Sequence, residues 1–400
     1  MATAEAAYVP TCQAPVRMST PMVQPCGGAP LLIHKPDGSV ERPNGEVVYF
    51  SVDRFVTDIV QGGCCFVCGA SPEDRAFNDE HVIPRWILRK FDLYDRKIGL
   101  PNGTKIPYRQ YTVPCCEECN SKLNDVYEKP VRRVLEEGVN GVATYVTKEG
   151  PSLLFSWLAL LFVKTHLKDW ELRLDVNRRS GDMRTIGHLM AHRIGELHHL
   201  HCVARSRIVG SRFESAALGT FLSLAADTTY AVEHFDYGDF FPAKSVLLRY
   251  GDMALIAVLD DSGAAMSVYR GEVPRFEAPL NPYQLREVLA HVSFIASNLV
   301  HRTQFGSAFD GDTHVICATP HPPTVSLVKP PRLPLGDVLA HCLAAPLESD
   351  PEGERLMELL RQNKWTFLFD LEGRQIRTGV ETRLITTQPL PRRNPAAKRR

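Results

Sequence analysis

Apolar residues recur at helical spacing over residues 51–60, where Val52, Phe55, Val56, Ile59 and Val60 share one side and Gly62-Gly63 stops the run. Residues 46–50, just upstream, read as a short strand. Residues 121–137 are predicted helical, with Pro130 set to kink the helix. Residues 151–169 hold the longest apolar run, from Leu153 to Val163, interrupted only by Ser156. That run is too short to span a bilayer and meets Lys164, His166, Lys168 and Asp169, so it reads as a buried helix. A further helix is expected over 182–202. It carries His188, His192, His198, His199, His201 and Cys202, and with no acidic partner to complete a ligand set these are expected to form a solvated face.

From 203 to 275 the pattern turns strand-like. Residues 245–250 and 253–259 flank Gly251-Asp252 and predict a hairpin. Asn281-Pro282 opens an amphipathic helix expected to run to about 301. A Pro-rich connection follows over 317–334. Helices are then expected near 335–345 and 352–363, and a terminal hairpin over 365–369 and 375–384. The whole reads as an α+β protein. We expect a disordered segment over 1–30, a compact module over 46–137, a mixed helical and antiparallel-strand domain over 150–386, and a basic tail over 387–400.

Composition adds little about partners, since 46 basic residues balance 46 acidic ones. Cysteine usage says more. Cys65-Phe66-Val67-Cys68 and Cys116-Glu117-Glu118-Cys119 are two CxxC pairs separated by 47 residues. Two such pairs match the tetrahedral thiolate shell of a structural zinc site, whose binding energy becomes folding energy. Cys64 and Cys115 adjoin the pairs but would give CxxxC spacing. A redox CxxC or a disulfide pair is the competing reading. Cys12, Cys26, Cys202, Cys317 and Cys342 are scattered, and residues 1–30 lack a basic stretch followed by an apolar one. Both observations point to a reducing, cytoplasmic setting and to no membrane.

Between the pairs lies Glu80-His81-Val82-Ile83-Pro84, and Asn120 directly follows Cys119. CxxC, then acidic-His-aliphatic-x-Pro, then CxxC-Asn resembles the zinc-stapled HNH endonucleases of bacteria, whose core is a ββα-metal finger. The resemblance is carried by residues 65–124, about a sixth of the chain. It implies a phosphodiesterase acting on DNA or RNA, in an architecture associated with defence against foreign DNA. By position, it makes His81 the general base, Glu80 and Asn120 ligands of a catalytic divalent ion, and Asn124, one helical turn on, a further ligand or phosphate contact. Oxygen donors of this kind suit Mg²⁺ or Mn²⁺. One position departs from the family pattern: Tyr111 stands where an Asn orients the histidine ring, with Gln110 beside it. If that missing amide limits catalysis, Tyr111→Asn should raise activity.

The module is also basic, with Arg85, Arg89, Lys90, Arg96, Lys97, Lys105, Arg109, Lys122, Lys129, Arg132 and Arg133 between His81 and Leu135. Arg85, Arg89, Lys90 and Lys122 lie nearest the motif and are the candidate phosphate contacts. Two other readings stay open. One is a catalytically degenerate, zinc-stapled nucleic-acid-binding protein. The other makes the module a support for an unrelated activity in residues 150–390.

Overall fold

The computed structural model describes residues 32–377, except 178, 180, 191, 192, 230–233 and 349. The expected disordered segment, His192, the basic tail and most of the last hairpin strand fall outside the described residues.

The fold is mixed α and β, and its centre is an antiparallel sheet. Strands Phe235–Phe240, Ser245–Tyr250, Met253–Val258 and Thr220–Ala225 lie side by side in that order. The two middle strands form the expected hairpin, with Gly251 at φ +63° in the turn, and all their residues are buried. Alternation sorts their side chains between two cores. Val246, Leu248, Leu255 and Ala257 enter one core, while Leu247, Ala254, Ile256 and Val258 enter the other. The second core is closed by helices Pro282–Ser297 and Leu335–Glu348. Asn281 and Gln284 cap the former reciprocally. That helix ends at Ser297, earlier than expected, because Asn298 turns its side chain to the backbone of Leu333.

The first core belongs to no separate module. Phe50, Ile87, Leu88, Tyr127 and Leu135 share it with Trp157, Phe162, Leu200 and Leu255. The boundary drawn near residue 150 therefore cuts through one continuous apolar cluster. The cause is the helix Ser152–Trp170, nearly every residue of which is buried. An element apolar all round needs cover on all sides, and the 46–137 segment supplies one of them.

The helix after Cys116 runs through Glu117–Leu123, a wider π-type turn at Asn124–Glu128, and Lys129–Glu136. Pro130 has no N–H to offer the carbonyl of Val126. The widened turn adjusts the register, and Arg207 Nε donates to that carbonyl at 3.3 Å.

The histidine-rich segment is corrected most. The helix expected over 182–202 is two: Ile186–Met190, and Glu196–Val209, which Gly210 ends in the left-handed region. His198 and His201 are not on a solvated face but buried. Their Nε2 atoms bond the carbonyls of Phe50 (2.8 Å) and Phe66 (2.6 Å). One turn on, buried Arg205 donates to the carbonyls of Val67 (2.5 Å) and Val47. This clasp helix gives the turn around the first CxxC the partners its backbone oxygens need.

Tyr111 is buried, and its hydroxyl donates to Asp169 Oδ1 at 2.8 Å. Burial pushes the Asp169 carboxyl up to about 6. The position is thus a core position. Tyr111→Asn is expected to lower stability by about 3 kcal/mol, through a cavity and a stranded Asp169, and not to raise any activity. Thermal unfolding of the variant checks this; an unchanged melting temperature would refute it.

Candidate metal centre and the face beside it

Cys65 and Cys68 sit on a tight turn closed by Cys65 N–H to Ala70 O (2.9 Å) and Gly69 N–H to Cys65 O (2.8 Å). Gly69 has φ +75°, and a Cβ there would come within 2.8 Å of the Phe50 ring. Cys116 is the N-cap of Glu117–Leu123, and Cys119 lies on its first turn. The four Sγ atoms lie within 4.8 Å of one another, with Cys68 and Cys116 3.8 Å apart. A tetrahedron with metal–sulfur bonds of about 2.3 Å has edges of about 3.8 Å. The preference for Cys65 and Cys116 over their neighbours agrees with this geometry. Cys64 lies outside the cluster, while Cys115 Sγ is 4.0 Å from Cys65 as a buried fifth thiol.

The electrostatics also fit a cation. Hydrogen bonds from Cys115, Cys119 and Cys68 pull the Cys65 thiol down. Hydrogen bonds to Cys65 and Cys68, with burial, push Cys119 up. Four thiols this close cannot all ionise unless a positive ion sits among them. Among the described residues this is the one group of three or more Cys, His, Asp or Glu side chains placed to hold a metal ion.

Beside the cluster, strand Glu80–His81 pairs antiparallel with Thr112–Val113. Cross-strand partners share a face and neighbours along a strand do not. Glu80 and Val113 face the core and are buried; His81 and Thr112 face the other way. Glu80 is therefore not on the face of His81. Its carboxylate is 2.7 Å from Lys164 Nζ, which emerges from the apolar helix and also donates to the His81 carbonyl at 2.7 Å. The expectation that Glu80 holds a divalent cation is corrected accordingly. The acidic side chain on the His81 side is Asp79, two residues away, exposed and accepting from Thr112 Oγ1 at 3.3 Å. Alternation within the strand separates Glu80 from His81, while Asp79, just before the strand, turns through a left-handed backbone at φ +40°.

Asn120 lies over the same strand end. Its Nδ2 donates to Asn78 Oδ1 (2.9 Å) and to the Asp79 carbonyl (3.3 Å), which leaves its Oδ1 available. His81 is half-buried, and its Nε2, itself buried, has no hydrogen-bond partner among the described residues. Burial, followed by the nearby Arg85 guanidinium, lowers its pKa, so the imidazole is neutral at neutral pH. Asn124 is exposed, one turn beyond Asn120. Gln110 is exposed on the turn Tyr108–Gln110 and makes no hydrogen bond to the His81 ring.

The basic residues divide. Arg85 and Arg89 are exposed on helix Arg85–Lys90 and form no ion pair with any described residue. Lys122 pairs with Glu118 at 3.0 Å. Lys90 is spent on the central sheet, donating to the Tyr250 hydroxyl at 2.8 Å and lying 4.3 Å above its ring.

Comparisons with protein-family models, curated proteins and solved structures find no match to this chain.

The chemistry behind Glu80 gives a pH dependence. Burial, then the charge of Glu80, raises the Glu128 carboxyl to about 7. An acid that holds its proton more tightly when folded favours the fold at low pH. Stability from this group is expected to fall as pH rises from its unfolded value near 4.5 through 7. Glu128→Gln keeps the hydrogen bond to Glu80 without the titration. Its melting temperature should decline less than wild type between pH 5 and pH 8 (roughly the window of that titration). Parallel declines would show that Glu128 does not carry the effect.

Proposed function

We propose that this protein is a metal-dependent phosphodiesterase of the HNH type, in which a zinc ion bound by Cys65, Cys68, Cys116 and Cys119 fixes a strand–strand–helix unit. The observation that carries this reading is His81. A half-buried, neutral imidazole shares its strand face with Thr112, which donates to Asp79, and feels the charges of Arg85 and Asp79. In this reading His81 takes the proton from an attacking water. Arg85 and Arg89 hold the phosphate backbone. The Asp79 carboxylate and Asn120 Oδ1 are the oxygen donors for a hard divalent ion. Mg²⁺ commonly uses one or two protein carboxylates and completes its shell with water and substrate phosphate. Such an ion, when bound, supplies charge neutralisation at the scissile phosphate. DNA, or RNA, is the substrate class.

A second reading is favoured by one observation: among the described residues no side-chain amide bonds the His81 ring, with Tyr111 in the core and Gln110 on an exposed turn. On that reading the same surface binds nucleic acid without cutting it.

A plasmid-nicking assay decides between them. Wild type should carry about one zinc per chain and nick DNA only with Mg²⁺ or Mn²⁺. His81→Ala should lose about 10²–10⁴-fold in rate while keeping its zinc and its salt-sensitive DNA binding. DNA binding by wild type without nicking would favour the second reading. Nicking that survives His81→Ala, or protein purified reduced and free of zinc, would contradict the proposal.

A further inference from the structure

Two of the cations expected beside His81 are engaged elsewhere, Lys90 by Tyr250 and Lys122 by Glu118. A second basic element stands next to them. Residues 96–116 carry Arg96, Lys97, Lys105 and Arg109 and no Asp or Glu, in a chain whose 46 basic and 46 acidic residues balance. Strands Lys97–Gly99 and Lys105–Pro107 pair antiparallel, with Lys97 opposite Pro107 and Gly99 opposite Lys105. Alternation puts these four residues on one side of the hairpin and Ile98 and Ile106 on the other. The two isoleucines pack against the first core. Lys97 and Lys105 are exposed and form no ion pair with any described residue. A Cβ on Gly99, between them, would meet nothing within 4 Å. The outer side therefore offers two uncompensated ammonium groups and no large apolar side chain.

The hairpin is anchored at both ends, and one end lies beside His81. Tyr108 N–H donates to Arg96 O at 2.9 Å and Arg109 N–H to Tyr94 O at 3.2 Å, which carries the pairing down to Tyr94. The Tyr94 ring centroid is 6.1 Å from that of His81. At the tip, Asn102 Oδ1 accepts from Thr104 N–H (3.2 Å) and Oγ1 (2.7 Å), and Asn102 Nδ2 donates to Arg173 O at 2.9 Å. At about 3.3 Å per residue, Tyr94 to Leu100 spans about 20 Å. That is the axial length of about six base pairs at 3.4 Å each.

We propose that this hairpin is a docking arm for the phosphate backbone of duplex DNA, with Lys97 and Lys105 each on a phosphate, an assignment that rests on the nucleic-acid reading of the His81 face. Charge complementarity selects this partner. A protein interface centres on buried apolar or aromatic anchors, and a membrane-surface element adds apolar residues to its basic ones. The outer side of the hairpin has neither. A polyanion needs only the lysines, whose contacts release counterions. Such contacts fix the position of the duplex and read no sequence.

Binding of the full chain to a fluorescent duplex of about 20 base pairs, over a range of salt and without added divalent ion, tests this. Each lysine on a phosphate contributes about 0.9 to the slope of log K against log salt, so Lys97→Ala/Lys105→Ala should be shallower than wild type by about 1.8. Both lysines are exposed, so the variant should keep the wild-type melting temperature. Lys148→Ala, an exposed change on helix Gly138–Glu149, should keep the wild-type slope. A wild-type slope in the double variant, or a comparable loss per lysine in Lys148→Ala, would overturn the arm and leave the His81 reading intact. So would an unchanged DNA slope with lost capture by anionic phosphatidylserine vesicles, which would assign the arm to a membrane surface. The expected loss of slope in a wild type that never nicks DNA would support the arm and contradict catalysis at His81. A wild type with no salt-dependent DNA binding would overturn both.

Discussion

Four sulfurs from two ends of a long loop must share one small volume, and the geometry around His81 follows from that constraint. Cys65 and Cys68 lie on a turn that Gly69 alone allows to press against Phe50. Cys116 and Cys119 lie on the first turn of a helix. A cation held among the four thiolates would tie the turn to the helix, and Asn120 follows Cys119 directly. The amide of Asn120 then grips Asn78 and Asp79, at the start of the strand that carries His81. A metal held here would be structural in this sense: it would set positions on the neighbouring face from outside it.

The rest of the chain holds this arrangement from behind. Lys164 crosses from the apolar helix to Glu80 and to the His81 carbonyl. A buried pair of this kind is weak evidence for net stability, but removing one partner leaves an uncompensated charge at a cost of about 3–5 kcal/mol. On the other side, His198, His201 and Arg205 bond carbonyls of the first CxxC turn and the strand before it. These donors come from residues 164–205, so the face around His81 is assembled by much more of the chain than residues 65–124. No single helix among the described residues is long and apolar enough to cross a membrane; the one with the longest apolar run is consumed in this support.

Local signals were legible in the sequence. The Cys₄ set, the 245–258 hairpin, the capping of Pro282–Ser297 and the buried helix all follow from short-range spacing and turn chemistry. What was hidden depends on partners distant in sequence. The histidines of Glu196–Val209 look like a polar face until the carbonyls they meet are known. Tyr111 reads as a vacated amide position, yet its hydroxyl meets Asp169, and nothing in the local sequence announces that contact. Glu80 adjoins His81 in sequence, yet the strand puts the two on opposite faces; Asp79 reaches the His81 side from the left-handed turn before the strand, through its contact with Thr112. One apolar cluster, built around the helix Ser152–Trp170, spans the boundary drawn near residue 150, and local composition does not announce it.

The central claim is that a neutral His81, kept so by burial and by Arg85, takes a proton from water. The pH–rate profile of divalent-metal-dependent DNA nicking tests it most directly, comparing wild type with Arg85→Gln. A depressed His81 pKa predicts an acid limb below the ordinary histidine value of 6.5. Removing the Arg85 charge should move that limb to higher pH, whatever it does to the maximal rate. A limb that stays in place when Arg85 is neutralised, or a rate with no acid limb between pH 4 and pH 7 (roughly the range open to a perturbed imidazole), would contradict the account.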